Sequence, residues 1–309
     1  MKRILAFVLM TVLLFGCASD TVSGIIQWGE GGGTDTLMRP LCAATEPYLN
    51  AKITLRNMTG GTGTVATQYV YDKPANGRTL LLGAENPAMY DALSLSDLTY
   101  ADFDCVLLVG SETVGVTVSA DSPYTTFSAL IDAAKSAPGT VRLATTAKGG
   151  LPWTVARFIQ SVTGATFAEI PYDSDATART AVLNGECEVT VSKLQSGIDA
   201  VRENKLRYLC MFTDKPVEAL PDVPPITDYS EAFAAYLPWG PFYGVFVRKG
   251  TDEAIREQLS AAFLQGYAES GYQALLASLY VEPLGLTGDA ANRYIEAWRA
   301  ASLSALHAE

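Results

Sequence analysis

The sequence predicts an α/β protein of two lobes, each a mostly parallel sheet flanked by helices. Three observations predict it. Short apolar, strand-like runs alternate with helical patterns along almost the whole chain, as they do where crossover helices join strands. The chain has 309 residues, more than one hydrophobic core usually organises. Beyond its N-terminal stretch, no segment approaches the ~18 uninterrupted apolar residues of a membrane span, so the remainder reads as a soluble, folded chain.

The elements follow in order. Residues 24–28 read as a strand, 29–34 as a glycine-rich loop and 35–49 as a helix. Pro40 falls inside that helix, where its ring opposes the carbonyl four residues back, so the helix either starts later or kinks there. Strands are expected at 52–56, 79–83, 103–109 and 115–119. A helix over 127–137 ends at Pro138-Gly139, and 141–145 is a buried strand. The part from 252 to 304 reads as mainly helical, with Leu259, Phe263, Tyr267, Leu275, Leu276 and Leu279 on apolar faces. Thr287-Gly288-Asp289 opens a last helix whose packing stripe is Tyr294, Ile295, Trp298 and Leu303.

The N-terminus carries a different signal. Met1-Lys2-Arg3 is a short positive region before an apolar run at 4–15. At ~1.5 Å per residue that run makes a helix of roughly 18 Å, too short for a bilayer core of about 30 Å, so it reads as a signal peptide. Leu14-Phe15-Gly16-Cys17 resembles the bacterial lipobox, in which the cysteine is lipidated and becomes the first mature residue. Residues 1–16 are therefore expected to be removed, with Cys17 as an anchor, since two or more acyl chains hold a protein stably on a membrane.

Net charge is −11 overall, and −13 once Lys2 and Arg3 are gone. So acidic a surface repels nucleic acid and anionic headgroups. Cys42, Cys105, Cys187 and Cys210 are widely spaced with no CxxC pair, which argues against a metal site. They are either buried thiols or bridged, Cys187–Cys210 being the favoured pair if a bridge exists. The single histidine, His307, lies three residues from the end, which leaves no basis for Ser-His-Asp, Cys-His or His-metal chemistry. No catalytic residue and no cofactor are expected.

Several stretches together resemble the substrate-binding proteins of tripartite tricarboxylate transporters (the Bug-type family). They are Gly31-Gly32-Gly33-Thr34-Asp35 followed by Met38-Arg39, then Arg56-Asn57-Met58-Thr59-Gly60-Gly61-Thr62-Gly63, then Lys73-Pro74-Ala75-Asn76-Gly77-Arg78-Thr79-Leu80-Leu81. Pro171-Tyr172, Leu220-Pro221-Asp222-Val223-Pro224 and Gly244-Val245-Phe246-Val247-Arg248-Lys249-Gly250-Thr251 follow in the family's order. The resemblance implies a two-lobed type 2 periplasmic-binding-protein fold with a small carboxylate in the cleft and a membrane transporter as partner. It implies lobe 1 at 17–115 and 241–309 and lobe 2 at 116–240, with crossings near 115–120 and 240–243.

The residues suit a carboxylate on physical grounds. In so acidic a protein the long-range field opposes an anion, so short-range backbone dipoles must hold it. Glycine loops that open helices supply them, because the chain can turn its N–H groups inward and the helix N-terminus adds about half a positive charge. Residues 29–35 have this layout, and so does Ala147-Lys148-Gly149-Gly150 before a helix with Pro152 in its first turn. The expected contacts are Trp28, Gly29, Glu30, Gly32, Gly33, Thr34, Asp35, Thr62, Gly63, Glu85 and Asn86 from lobe 1. From lobe 2 they are Thr145, Thr146, Lys148, Gly149, Tyr172, Asp173, Ser192 and Lys193. Asp35 is expected to organise its loop rather than touch the ligand.

The chain departs from the family at Trp28-Gly29-Glu30, at Glu85-Asn86 and at Asp173, which bring acids to an anion site, and at Lys148 and Lys193, which bring cations. These charges are either solvated loop groups or contacts for an amphoteric ligand, such as an acidic amino acid, or for a carboxylate with a divalent cation. Three rival classes stand beside a transport receptor: an enzyme built on paired carboxylates, a sensory lipoprotein of the same fold presenting its loaded form to a membrane receptor, and a structural lipoprotein without a ligand.

Overall fold

The computed structural model describes residues 21–146, 148–237 and 239–306. The signal-peptide segment, Cys17 and His307 lie outside the described residues. In chain order the elements are β1 (Thr21–Ile26), α1 (Gly33–Leu49), β2 (Lys52–Asn57), α2 (Thr64–Tyr71), β3 (Thr79–Ala84), β4 (Phe103–Glu112), β5 (Val114–Ser119), α3 (Phe127–Ser136), β6 (Arg142–Thr145) and α4 (Leu151–Thr163). There follow β7 (Ala168–Pro171), α5 (Asp175–Leu183), β8 (Val189–Lys193), α6 (Leu194–Arg202), β9 (Leu206–Met211), β10 (Phe242–Arg248), α7 (Glu253–Ala268), α8 (Ser270–Ser278), β11 (Val281–Leu286) and α9 (Gly288–Leu306).

Two sheets organise these elements, one per lobe. The first has the order β11-β4-β10-β3-β1-β2 and the second β7-β6-β8-β5-β9. Both are mixed, which corrects the expectation of mostly parallel sheets. Parallel pairing holds where helices carry the chain back, as in β1 with β2 and β3, and in β6 with β7 and β8. β4, β5 and β10 enter or leave a lobe directly, without a crossover helix, and pair antiparallel with their neighbours. The chain changes sheets at Thr113, because Val114 and Gly115 already pair with β8. It returns to the first sheet at Phe242.

Other expectations are adjusted. Helix α1 starts at Gly33 and runs through both Pro40 and Pro47; Pro40 is exposed, so the carbonyl it leaves without a helical donor can face water. The C-terminal part contains a strand, β11, unseen in the pattern because Pro283 and Gly285 interrupt it. It sits at the sheet edge, where proline is tolerated. Cys42, Cys105, Cys187 and Cys210 are free thiols. Cys187 packs with Ala144, Ala178 and Val182, while Cys210 belongs to a different apolar cluster, so the favoured bridge does not form.

The C-terminal helix ties the lobes together. Trp298 of α9 stacks on Trp239 at 5.8 Å, and Trp239 meets Phe158 of α4 edge-on at 5.3 Å. Both indoles are hydrogen bonded, Trp298 Nε1 to the Gly240 carbonyl and Trp239 Nε1 to Ser302 Oγ, each at 2.8 Å. Among the described residues no helix is long and apolar enough to cross a membrane.

Candidate functional site

The turn between β1 and α1 is built by Asp35. Its carboxylate accepts from Gly31 N–H (3.0 Å), Arg39 Nη2 (2.7 Å) and Asn57 Nδ2 (2.9 Å). Asn57 Nδ2 also donates to the Trp28 carbonyl at 2.8 Å. Burial opposes the charge, but these hydrogen bonds outweigh it and hold the Asp35 carboxyl below the usual range. Gly32 caps α1 with no side-chain hydrogen bond, so the first-turn amides of Gly33, Thr34 and Asp35 have no carbonyl to meet within the helix. A Cβ on Gly33 would lie 2.7 Å from Tyr243 Oη. Gly29 and Trp28 are partly buried, and Glu30 is exposed.

The second glycine turn is locked from beneath. Thr62 is left-handed (φ 55°) and Gly63 has φ 91°. The Thr62 carbonyl accepts from Tyr90 Oη at 2.8 Å, and that hydroxyl accepts from Gln27 Nε2 at 2.6 Å. Gln27 is fully buried and takes the Ala84 N–H on its carbonyl at 2.9 Å. A Cβ on Gly63 would lie 2.2 Å from Gln27 Nε2, so only glycine fits. Gln27 and Tyr90 are not singled out by the sequence pattern; a glutamine closing an apolar strand is the one signal that points to either of them.

In the second lobe, Gly149 (φ 81°) abuts lobe 1, since a Cβ there would lie 2.6 Å from Leu93 Cδ1. Gly149, Trp153 and Thr154 also share a small cavity with Met89, Trp298 and Ser302. Gly150 caps α4, again with no side-chain hydrogen bond, and Pro152 stands in the first turn. Exposed Lys148 holds its ammonium 5.7 Å from the Trp153 ring centroid. Tyr172 turns instead to its own lobe, its hydroxyl 3.3 Å from Glu186 Oε2 and 3.6 Å from Cys187 Sγ. Asp173 is exposed.

The lobes meet electrostatically at Lys193, the last residue of β8. Its ammonium lies 2.6 Å from Glu112 Oε2, a carboxylate only 3% exposed at the end of β4. Tyr243 Oη donates to the same oxygen at 2.7 Å and accepts from Lys193 at 3.4 Å. Burial opposes the lysine's charge, yet Tyr243, Glu112 and Glu85 hold its pKa well above the usual value. Glu85, just past β3, is pushed up to about 7 by burial; Lys193 pulls it down, while Glu112 and Asp175 push it up. Asp175, the first residue of α5, is also raised by burial and Glu112, against the pull of Lys193 and Arg179. Glu112, Tyr243 and Asp175 were not among the residues expected from sequence. Asp175 carried one signal, its place after the capping residue Ser174.

Three buried polar atoms in these same segments have no hydrogen-bond partner among the described residues: Asn86 Oδ1 in lobe 1, and Thr146 Oγ1 and Ser192 Oγ in lobe 2. Each such group costs about 1–3 kcal/mol when left unpaired. The Gly33 turn therefore touches Tyr243 and, through it, Lys193, while Glu85 and Asn86 lead on to Met89 and the Gly149 turn. Thr145, buried at the end of β6, accepts the Tyr172 N–H at 2.8 Å.

Known proteins share this architecture. A family model for the tripartite tricarboxylate transporter family receptor matches residues 38–302. BugT of Bordetella pertussis is 26% identical over 268 residues, covering 82% of this chain and 81% of its own. The crystal structure of a TctC solute-binding protein from Polaromonas superposes with a TM-score of 0.80 at 22% identity, over 93% of this chain and 98% of that one. A Rhodopseudomonas palustris protein solved with adipate gives a TM-score of 0.75 at 21% identity, over 92% and 97%.

Proposed function

This chain belongs to the tripartite tricarboxylate transporter receptor family, a family of solute-binding receptors, and on that premise we propose that it captures a small carboxylate between its lobes outside the cytoplasm and delivers it to a membrane transporter. The observation that carries this reading is the pair of buried hydroxyls, Thr146 Oγ1 and Ser192 Oγ, that have no partner among the described residues and can donate to a carboxylate, set beside two helix N-termini without side-chain caps. Helix α1 brings the amides of Gly33, Thr34 and Asp35, and α4 those behind Gly149 and Gly150. Both ends are partially positive. They hold an anion that the protein's formal charge of −11 repels at long range. Adipate, bound by the Rhodopseudomonas palustris relative, is a ligand of the class proposed.

Closure would turn on the two segments that join the sheets. Glu112 N–H donates to the Pro241 carbonyl at 2.8 Å, so the outgoing and returning strands move as a pair. Ligand touching both lobes favours the closed form by its differential affinity. Signal-peptide cleavage and lipidation at Cys17 would keep the receptor on the membrane. Replacing Cys17 with Ser should release it into the soluble fraction; continued membrane retention refutes the anchor.

The decisive experiment is a thermal-shift screen of mono-, di- and tricarboxylates. Ligand at a hundred times its dissociation constant adds roughly 2.7 kcal/mol, a rise of a few degrees for a chain this long. NMR of the ligand recovered after incubation should show it unchanged. A flat screen refutes capture, and turnover refutes a purely binding role.

A further inference from the structure

Building on the capture of a carboxylate, we propose that Glu85 and Asp175, one from each lobe, form a subsite for a positively charged group of the ligand, so that the preferred ligand is a dicarboxylate bearing an ammonium.

Charge is the first argument. Around the interlobe junction stand three carboxylates, Glu85, Glu112 and Asp175, and one inner cation, Lys193. Glu112 is already satisfied by Lys193 at 2.6 Å and Tyr243 at 2.7 Å. The charge of Lys193 is thereby balanced within the protein by Glu112. Glu85 and Asp175 are in no ion pair among the described residues. Arg179, one turn further along α5, acts on Asp175 but does not reverse the effect of burial there. Two partly buried carboxylates, one from each lobe and sharing one occupied lysine, disfavour a purely anionic ligand relative to one that also bears a positive group.

Hydrogen-bond polarity is the second argument, independent of the first. Asn86 Oδ1, on the residue after Glu85, is a buried acceptor with no donor. A carboxylate offers an acceptor no hydrogen, whereas an ammonium offers three. The helix N-termini of α1 and α4 supply donors for the carboxylates, and Glu85, Asp175 and Asn86 supply acceptors for the ammonium. A metal ion is the less suitable cation, since among the described residues no group of three or more His, Cys, Asp or Glu is arranged to hold one.

The pH response has a definite sign. The groups acting with Glu85 are Lys193, Glu112, Asp175, Tyr90, Tyr100 and Tyr243. Lys193 is held charged and the tyrosines neutral across the working range, and burial brings Glu85 to about 7, within it. An ammonium needs Glu85 ionised; a second carboxylate is better received when it is protonated.

Calorimetry on the purified protein with two matched pairs, L-aspartate against succinate and L-glutamate against glutarate, tests this. At pH 8 the amino member of at least one pair should bind tenfold or more tightly than its partner. Its affinity should fall between pH 8 and pH 6. Glu85→Gln and Asp175→Asn should each weaken it about tenfold, the size expected of a lost charge-assisted hydrogen bond, while strengthening the plain dicarboxylate. Circular dichroism and melting of each variant establish that it is folded. Equal affinity within both pairs, a preference for the plain acids, or equal losses for both ligands in the variants overturns the subsite but leaves carboxylate capture standing. Absence of binding by all four, together with a flat screen of other carboxylates, overturns capture itself.

Discussion

The two lobes are joined by two junctions built on opposite principles. One is apolar: Trp239 and Trp298 stack, Phe158 and Phe242 meet them edge-on, and each indole N–H is satisfied. The other is charged: Lys193, Glu112 and Tyr243 interlock, and Glu85 and Asp175 stand around them. The apolar junction gains from burial under every condition. The charged one is expensive to desolvate and holds only while its partners remain paired. The difference teaches what each kind of contact costs. A contact that merely joins lobes is best made of rings, so the costly groups mark the place where we propose that selectivity is exercised.

The comparison breaks most visibly at the apolar side. Trp298→Ala removes a side chain only 4% exposed and strips the Gly240 carbonyl of its donor. The expected cost is about 3–5 kcal/mol, read as a lower urea midpoint, and it should stay constant from pH 5 to 8 because no titrating group is involved. At the charged side Lys193→Met should cost about 3 kcal/mol at pH 7, since it leaves Glu112 buried and unpaired. The double variant Lys193→Met with Glu112→Gln should recover at least half of that. Simple addition of the two single losses would mean that the groups are not coupled.

How legible these features are in sequence depends on the range of the interaction that makes them. β3, β4 and β5 coincide with the apolar runs expected at 79–83, 103–109 and 115–119 to within a few residues, because each run is buried as a strand in its own right. β11 is illegible for the converse reason: only its edge position makes a strand out of Val281–Leu286. The site shows the same division. Asp35 and its glycine turn are local and readable. Tyr243 and Glu112 are 131 residues apart, and no pattern within either segment brings them together. The sequence pattern points to Asp173, whereas Asp175 is the one on which Lys193 acts, because the Ser174 cap starts α5 there and leaves Asp173 exposed ahead of it. Tyr172, expected in the cleft, is drawn away by Glu186 and Cys187, partners supplied by the approach to β8.

The finest test of the comparison is the pH dependence of stability in Glu85→Gln. Burial lifts this carboxyl from 4.5 to about 7. Between those values the folded protein holds a proton that the unfolded chain has released, so falling pH stabilises the fold. Above about 7 both states are ionised and the full penalty of the buried charge is present. Glutamine carries no such penalty. Glu85→Gln should therefore be more stable than the parent at pH 8 by about 1–3 kcal/mol, from ~1.4 kcal/mol per pKa unit reduced by partial solvent screening. The advantage should shrink steadily below pH 7 and be gone near pH 4.5, as urea midpoints across the range would record. Trp298→Ala, measured in parallel, should show a flat loss. If both variants gave flat differences, Glu85 would be as well solvated as any surface carboxylate, and the charged junction would be no costlier to maintain than the aromatic one.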